Sequence, residues 1–130
     1  MGKSKLPEKC PCGSGMFFQQ CCDRYISGKE SAPSATTLMR SRYTAYTLDD
    51  QSYLLKTWYP ASRPELDRFK QESCKWIGLT ILEEHVAERS ATVEFVAKYK
   101  INGRAEQMHE ISNFVLEGGA WFYVDGIFVS

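Results

Sequence analysis

Four of the five cysteines in this 130-residue chain lie within thirteen residues, as Cys10, Cys12, Cys21 and Cys22. Cysteines at this density are typical of one tetrahedral zinc site, in which each thiolate sulfur lies about 2.3 Å from the metal. Two short cysteine-containing arms joined by a turn supply the four ligands. The sequence therefore predicts one structural Zn²⁺ ion bound by these four side chains.

The residues between the two cysteine pairs suit such a turn. Pro11 fixes φ in the first arm, and Gly13 and Gly15 permit a left-handed backbone. Residues 16–20 are predicted to form a short helix with Ser14 as its N-cap, which returns the second cysteine pair to the metal. Adjacent helical residues point about 100° apart, so one cysteine of that pair must lie at a helix end.

Two other uses of these cysteines are conceivable, disulfide bonds and a redox dithiol. Paired disulfides need an oxidising compartment, which nothing in the sequence indicates, and five cysteines leave one without a partner. A redox dithiol normally has the C-x-x-C spacing, whereas this chain has C-x-C and an adjacent pair. Both alternatives are disfavoured relative to a metal site.

The run Cys10-Pro11-Cys12-Gly13-Ser14-Gly15 followed by Cys21-Cys22 resembles the SEC-C motif, the C-terminal zinc knuckle of the SecA translocation ATPase. The resemblance covers about the first 24 residues and implies that Cys10, Cys12, Cys21 and Cys22 are the zinc ligands. In SecA the knuckle docks the chaperone SecB and the ribosome. The resemblance thus implies a protein or ribosomal partner rather than catalysis.

Charge disfavours nucleic acid as a partner. The chain has 16 basic and 16 acidic side chains, and residues 1–30 have five basic against three acidic ones. Four thiolates and one Zn²⁺ bring the knuckle from +2 to zero. Nucleic-acid binding depends on neutralising phosphates, so a neutral knuckle gives it little support.

The chain has no apolar run near the 18 residues that a membrane span requires. Its first residues also lack the apolar core of a signal peptide. We therefore expect a cytoplasmic protein, in agreement with reduced, metal-bound thiols. The fifth cysteine, Cys74, is expected to be a buried core thiol.

The sequence divides into a knuckle (1–26), a polar, turn-rich linker (27–34) and a larger domain (35–130). The domain opens with three predicted helices. The first spans 35–47, with an apolar face and an opposite face that carries Arg40 and Arg42.

The second predicted helix runs from residue 50 to residue 58 with Asp49 as its cap, and Pro60 follows its end. The third begins at Ser62-Arg63-Pro64-Glu65, which has the spacing of a capping box with proline in the first turn.

Beyond Cys74 the hydrophobic period changes to two, which predicts strands. Asn102-Gly103 and Gly118-Gly119 are predicted hairpin turns. They separate predicted strands at 76–82, 91–101, 106–117 and 120–128. Helices followed by an antiparallel meander indicate an α+β fold, with three helices packed on a curved antiparallel sheet.

This order resembles the cone-shaped fold of nuclear transport factor two and ketosteroid isomerase. Four further runs are similar to the bacterial YchJ family, which joins a SEC-C knuckle to a cone-shaped domain: Leu38-Met39-Arg40-Ser41-Arg42-Tyr43, Leu54-Leu55-Lys56-Thr57-Trp58, Trp76-Ile77-Gly78-Leu79 and Trp121-Phe122-Tyr123-Val124-Asp125-Gly126. Many members end in a second knuckle. No second cysteine cluster follows here, so functions that need two knuckles are not expected.

Cone-shaped folds often enclose a pocket between sheet and helices, where ligands bind. Strand alternation places Glu110 and Ser112 on the same face as Phe114, which we expect to point inward. Glu110 is then a candidate general base, with Arg40 or Arg42 as its ion-pair partner and Ser112 beside it. Asp125 is a second acidic candidate.

A structural role for Glu110 is favoured over catalysis, because Arg–Glu pairs are common in frameworks. His109 is expected to be a lone surface histidine, and the aromatic residues are expected to form core. A zinc shell closed by four cysteines has no open position for chemistry.

Two functions therefore stay open. The preferred one is a zinc-knuckle interaction protein, and the alternative is a small-molecule binder or enzyme that uses the pocket with Glu110, Ser112 and Arg42. A homodimer through the outer face of the sheet is a further expectation.

Overall fold

A computed structural model describes residues 8–64 and 74–129 of the chain. Three α-helices precede four strands in this part of the chain. They are α1 (Asp23–Ile26), α2 (Ala35–Thr47), α3 (Gln51–Lys56), β1 (Lys75–Val86), β2 (Ser90–Ile101), β3 (Arg104–Glu117) and β4 (Ala120–Phe128). Short 3₁₀ turns lie at Phe18–Gln20 and Pro60–Ser62. The predicted α+β class is confirmed.

The four strands form one antiparallel sheet in the order β1-β2-β3-β4, so each strand pairs with its neighbour in sequence. Both predicted hairpins are present. Asn102 and Gly103 have φ of 51° and 78°, the left-handed conformations that a tight two-residue turn requires. Register shifts in β1 and between Asn113 and Phe114 of β3 interrupt the ladders, as β-bulges do, and such irregularities bend a sheet.

The main core lies between α2 and one face of the sheet. Leu38, Met39 and Tyr43 of α2 pack against Phe95 of β2 and Phe114 of β3, and all five are buried. Alternation along β2 produces this face, because every second residue from Ala91 to Ala97 is buried.

Two of the helix predictions were wrong, and a third falls outside the described residues. The N-cap of α3 is Asp50, whose carboxylate accepts a hydrogen bond from the Tyr53 amide at 3.1 Å, whereas Asp49 has a φ of 57° and ends the preceding turn. The helix predicted to begin at Ser62 falls mainly on residues 65–73, outside the described residues. Arg42 is not on a solvent face, since it is only 2% exposed.

The side chain of Ser34 caps the N-terminus of α2. The Ser34 hydroxyl accepts a hydrogen bond from the Thr37 amide at 3.1 Å. Residues 27–34 contain no helix or strand, and their role as a linker stays a prediction. Within residues 8–64 and 74–129, no helix is long and apolar enough to cross a membrane.

Phe114→Ala tests the importance of this core. Phe114 is 1% exposed, and a cavity of its size should lower the free energy of unfolding by about 3–5 kcal/mol. Phe128→Ala is the control, because Phe128 is 73% exposed and its loss should change stability by about 0.5 kcal/mol or less. Urea denaturation followed by circular dichroism measures both, and equal midpoints would contradict the assigned core.

Candidate metal centre and cavity

The first cysteine arm forms a tight hairpin. The Cys10 amide donates to the Met16 carbonyl at 2.9 Å, which closes the loop that contains Cys12. Gly13 and Gly15 in this loop have φ of 83° and 88°, so the left-handed conformations expected there are present. The loop brings its two cysteines to one side of the knuckle.

The second arm differs from its prediction. The turn Phe18–Gln20 is a 3₁₀ turn without a side-chain cap, so Ser14 is not an N-cap. The Ser14 hydroxyl instead accepts from the Met16 amide and lies 3.2 Å from the Cys21 sulfur. This short turn is enough to return the second cysteine pair to the first, because Cys21 lies directly after the turn and Cys22 lies directly before α1. The adjacent pair therefore lies between two helical elements, as the side-chain directions required.

The sulfurs of Cys10, Cys12, Cys21 and Cys22 all lie within 4.8 Å of one another, and those of Cys12 and Cys21 are 3.7 Å apart. A tetrahedral site with about 2.3 Å metal–sulfur bonds has sulfurs about 3.8 Å apart. None of the four cysteines forms a disulfide. This donor set can hold one metal ion, and soft thiolates suit Zn²⁺ among other thiophilic metals.

The helix α2 supplies the groups that surround these sulfurs. The Thr44 hydroxyl, fully buried, donates to the Cys22 sulfur at 3.3 Å and lies 3.7 Å from the Cys10 sulfur. The Arg40 guanidinium donates to the Cys12 carbonyl at 2.9 Å. Hydrogen bonds of this kind orient ligands and favour the thiolate form, so the larger domain helps to build the metal centre.

The four cysteine sulfurs lie so close together that their thiolate forms need a cation among them. Hydrogen bonding from Cys10 lowers the pKa of Cys12 but raises the pKa of Cys22, and burial raises the pKa of Cys21. Four buried sulfurs this close cannot all be anionic without a positive charge among them. A divalent cation bound by the sulfurs would supply that charge, because coordination deprotonates thiols outright.

A cavity of about 460 Å³ lies between α2 and the sheet. Its walls are mainly apolar and include Met39, Tyr43, Trp76, Phe95, Tyr99 and Met108. All three predicted pocket residues, Glu110, Ser112 and Arg42, line it, whereas Asp125 is exposed and bonds Asn113 away from the cavity. Their catalytic role stays a prediction.

Glu110 is 8% exposed, and its Oε2 accepts hydrogen bonds from the Ser112 hydroxyl at 2.7 Å and from the Tyr123 hydroxyl at 3.4 Å. Gly126 lies directly across from Ser112 on β4. A Cβ atom at Gly126 would lie 2.8 Å from Glu110 Cδ, closer than such carbons approach. The carboxylate therefore occupies the space that this glycine leaves.

Arg42 does not pair with Glu110, since within the described residues no ion pair of 4 Å or less joins them. Its Nη1 donates instead to the Leu54 carbonyl at 2.8 Å and to the Thr57 hydroxyl at 2.7 Å. Burial lowers the pKa of this guanidinium. The predicted partner was wrong because the Leu54 carbonyl of α3 lies closer to the Arg42 guanidinium than the Glu110 carboxylate does.

Aromatic rings cover the remaining faces of the Arg42 guanidinium. Its central carbon lies 5.0 Å from the Trp58 ring centre and 4.5 Å from that of Tyr123. These are cation–π distances. Burial raises the pKa of Tyr123, and the Glu110 carboxylate raises it further. The tyrosine therefore stays protonated and remains a hydrogen-bond donor to Glu110.

Two further expectations were wrong. His109 is not a lone surface histidine, because its Nε2 lies 2.6 Å from the Glu94 carboxylate, and both side chains are more than half buried. Cys74 is not a core thiol, because it is half-buried at the cavity wall, where burial raises its pKa. Sequence reasoning also missed Thr44 and Gly126. A glycine inside a strand signals a close approach, whereas Thr44 has no comparable signal.

Thr44→Val tests whether α2 belongs to the metal centre. The change removes the hydroxyl beside two sulfurs while it keeps the side-chain shape, so the affinity for Zn²⁺ should fall about 10–100-fold. Competition with a coloured chelator measures the affinity. Thr47→Val is the control, because the Thr47 hydroxyl bonds only the Thr44 carbonyl within the described residues. Equal affinities in both variants would show that Thr44 does not support the ligands.

Comparisons with known proteins agree with this architecture. Residues 34–126 match the family model described as "YchJ, middle NTF2-like domain". A UPF0225 protein of Chromobacterium violaceum is 47% identical over 131 aligned residues, which cover 96% of each chain. A UPF0225 protein of Enterobacter sp. is 40% identical, with 93% of this chain and 84% of the relative covered.

Two solved structures are also similar. A SEC-C motif containing protein from Rhodopseudomonas palustris has a TM-score of 0.86 and 34% identity, covering 93% of this chain and 98% of the other. Another from Psychrobacter arcticus has a TM-score of 0.76 and 26% identity, covering 93% and 82%. With its four clustered cysteines and its NTF2-like domain, the chain belongs to the YchJ (UPF0225) family of SEC-C motif proteins.

Proposed function

We propose that this protein is a docking module whose knuckle is held in shape by one Zn²⁺ ion on Cys10, Cys12, Cys21 and Cys22. The observation that supports the metal most directly is the approach of all four sulfurs to within 4.8 Å. Four cysteine ligands close a tetrahedral shell and leave no position for substrate, so the ion is structural. The proposed location is the cytoplasm, where thiols stay reduced.

The docking surface is the tip of the knuckle. Met16 and Phe17, between the two cysteine pairs, are 45% and 51% exposed, and the Lys9 ammonium lies 5.7 Å from the Phe17 ring. Exposed aromatic side chains often anchor protein interfaces. The proposed occupant is a protein surface, free or on the ribosome, with an apolar pocket for Phe17 and a carboxylate for Lys9. A neutral metallated knuckle favours this over RNA.

Zinc content tests the ligand assignment. Native protein should contain one equivalent of Zn²⁺, and Cys10→Ser or Cys22→Ser should lose most of it, because each removes one of four ligands. Elemental analysis after dialysis measures the ratio. Cys74→Ser is the matched control and should keep the full equivalent, since Cys74 lies outside the cluster. Full zinc in either cluster variant would refute the four-cysteine site.

Capture from cytoplasmic extract tests docking. Tagged native protein should retain a partner that Phe17→Ser loses, because that change removes the exposed anchor without touching a cysteine. Phe128→Ser is the control, since Phe128 is equally large, 73% exposed and on the sheet rather than the knuckle. The Cys21→Ser/Cys22→Ser double variant, with its domain shown to be folded by circular dichroism, should also lose the partner.

Equal capture by native protein and by Phe17→Ser would contradict docking at the knuckle tip. Loss of the partner in Phe128→Ser alone would move the interface to the sheet, where Ile127 and Phe128 are exposed. The proposed homodimer, which would use the outer face of this sheet, is tested separately by analytical ultracentrifugation.

Small-molecule binding is a second proposed function. It is favoured by the cavity of about 460 Å³, which lies within the range of ligand sites and contains a buried carboxylate. Knuckle and cavity share no ligand residue, so the two functions are compatible.

A further inference from the structure

The cavity wall includes one buried charged side chain of each sign, Arg42 and Glu110. Glu110 and Arg42 do not touch, but both contact Tyr123: its ring centre lies 4.5 Å from the guanidinium carbon, and its hydroxyl lies 3.4 Å from the Glu110 carboxylate. Opposite charges separated by one ring still compensate each other in a low-dielectric interior. A charged ligand would leave this cavity with an unbalanced buried charge, which is costly.

Of these two charged groups, Arg42 already has hydrogen-bond and aromatic partners within the protein. It donates to a main-chain carbonyl and to the Thr57 hydroxyl, and two aromatic rings cover it. Glu110 differs, because within the described residues the hydrogen bonds that reach its carboxylate both end on Oε2. A carboxylate has about four acceptor positions, so Glu110 retains capacity to accept a hydrogen bond from a ligand.

Gly126 fixes where that acceptor lies. A Cβ atom at this position would come within 2.8 Å of Glu110 Cδ, so only glycine leaves the space in which the carboxylate sits. Glycine inside a strand is otherwise unfavourable and marks a close approach. Gly126 is therefore a positioning residue for the Glu110 carboxylate.

The other walls are suited to aromatic rings. The Trp76 ring centre lies 5.7 Å from that of Tyr43 and 5.5 Å from that of Tyr99, both in tilted or edge-on arrangements. Rings bind to such walls through offset and edge-to-face contacts. Met39 and Met108 add adaptable apolar surface.

We propose that the cavity binds a neutral, mainly aromatic ligand that donates one hydrogen bond to Glu110. This inference rests on the second proposed function, since it specifies the ligand class of the same cavity.

The test uses four probes of one bicyclic shape with the zinc-loaded full chain. Indole is neutral and donates one N–H, benzothiophene has nearly the same shape without a donor, indole-3-carboxylate is an anion, and 3-(aminomethyl)indole is a cation. Titrations followed by ¹⁵N NMR give the affinity and map the site through shifts at residues such as Trp76 and Met108. Indole should bind at least about tenfold more tightly than benzothiophene, because a hydrogen bond to a charged group is strong. It should also bind at least about tenfold more tightly than the two charged probes, because each of those would leave an unbalanced buried charge in the cavity.

Two variants assign the hydrogen bond. Glu110→Gln removes the compensating charge, so it should weaken indole about tenfold or more and strengthen indole-3-carboxylate. Its control is Glu106→Gln, the same change four residues earlier on the same strand, at an exposed position. Gly126→Ala displaces the carboxylate without removing it and should weaken indole likewise. Its control is Gly78→Ala, where an added Cβ meets nothing within 4 Å.

The outcomes separate this inference from the function on which it rests. Equal binding of indole and benzothiophene, tighter binding of the cation, or unchanged affinity in Glu110→Gln would overturn the ligand class while the cavity remains a binding site. Absence of binding by all four probes would overturn both. If circular dichroism shows that Glu110→Gln does not fold, the ligand class is still tested by the affinity of Gly126→Ala for indole and by the relative affinities of the four probes.

Discussion

The helix α2 packs against the knuckle, against α3 and against the sheet, so none of its residues is fully exposed to solvent. Three polar residues on it are almost fully buried: Ser41, Arg42 and Thr44. Buried polar groups must find hydrogen-bond partners or destabilise the fold. Ser41 lies 2.7 Å from the Tyr53 hydroxyl, Arg42 donates to α3, and Thr44 donates to a cysteine sulfur. The bonds of Ser41 and Arg42 hold α3 against this helix, and the bond of Thr44 holds the knuckle against it.

This arrangement ties the metal centre to the cavity. Thr44 contacts the cysteine cluster, while Tyr43 and Tyr46, on the same turn of α2, line the cavity. Arg40, one turn earlier, bonds the Cys12 carbonyl. One short helical segment therefore contributes to both sites, so an ion bound by the cysteines would also restrict the movement of that cavity wall. A metal ion bound by these cysteines would then stabilise more than the knuckle itself.

The strands and hairpins could be predicted because their signals are local. Alternation of apolar residues in 91–101 specifies which face is buried, and Asn102-Gly103 specifies a turn with positive φ. The orientation of α2 could not be predicted in this way. An amphipathic pattern assumes one face in water, whereas α2 has neighbours on several sides, so the arginine that the pattern assigns to solvent, Arg42, is buried.

The site residues that could be predicted are likewise those fixed by local sequence spacing, whereas their partners on other elements could not be predicted. Four cysteines within thirteen residues can converge on one ion with few choices of backbone, so the spacing alone predicts the cluster. Glu110 and Ser112 share the inner face for an equally local reason, strand alternation. The partners of these groups depend on how separate elements meet, and sequence spacing contains no such distances. Gly126 can accommodate the carboxylate only because β4 pairs with β3 in the register that sets it opposite Ser112. A shift of one residue would turn every side chain of β4 to the other face, so the acceptor in the cavity depends on that register as much as on Glu110 itself.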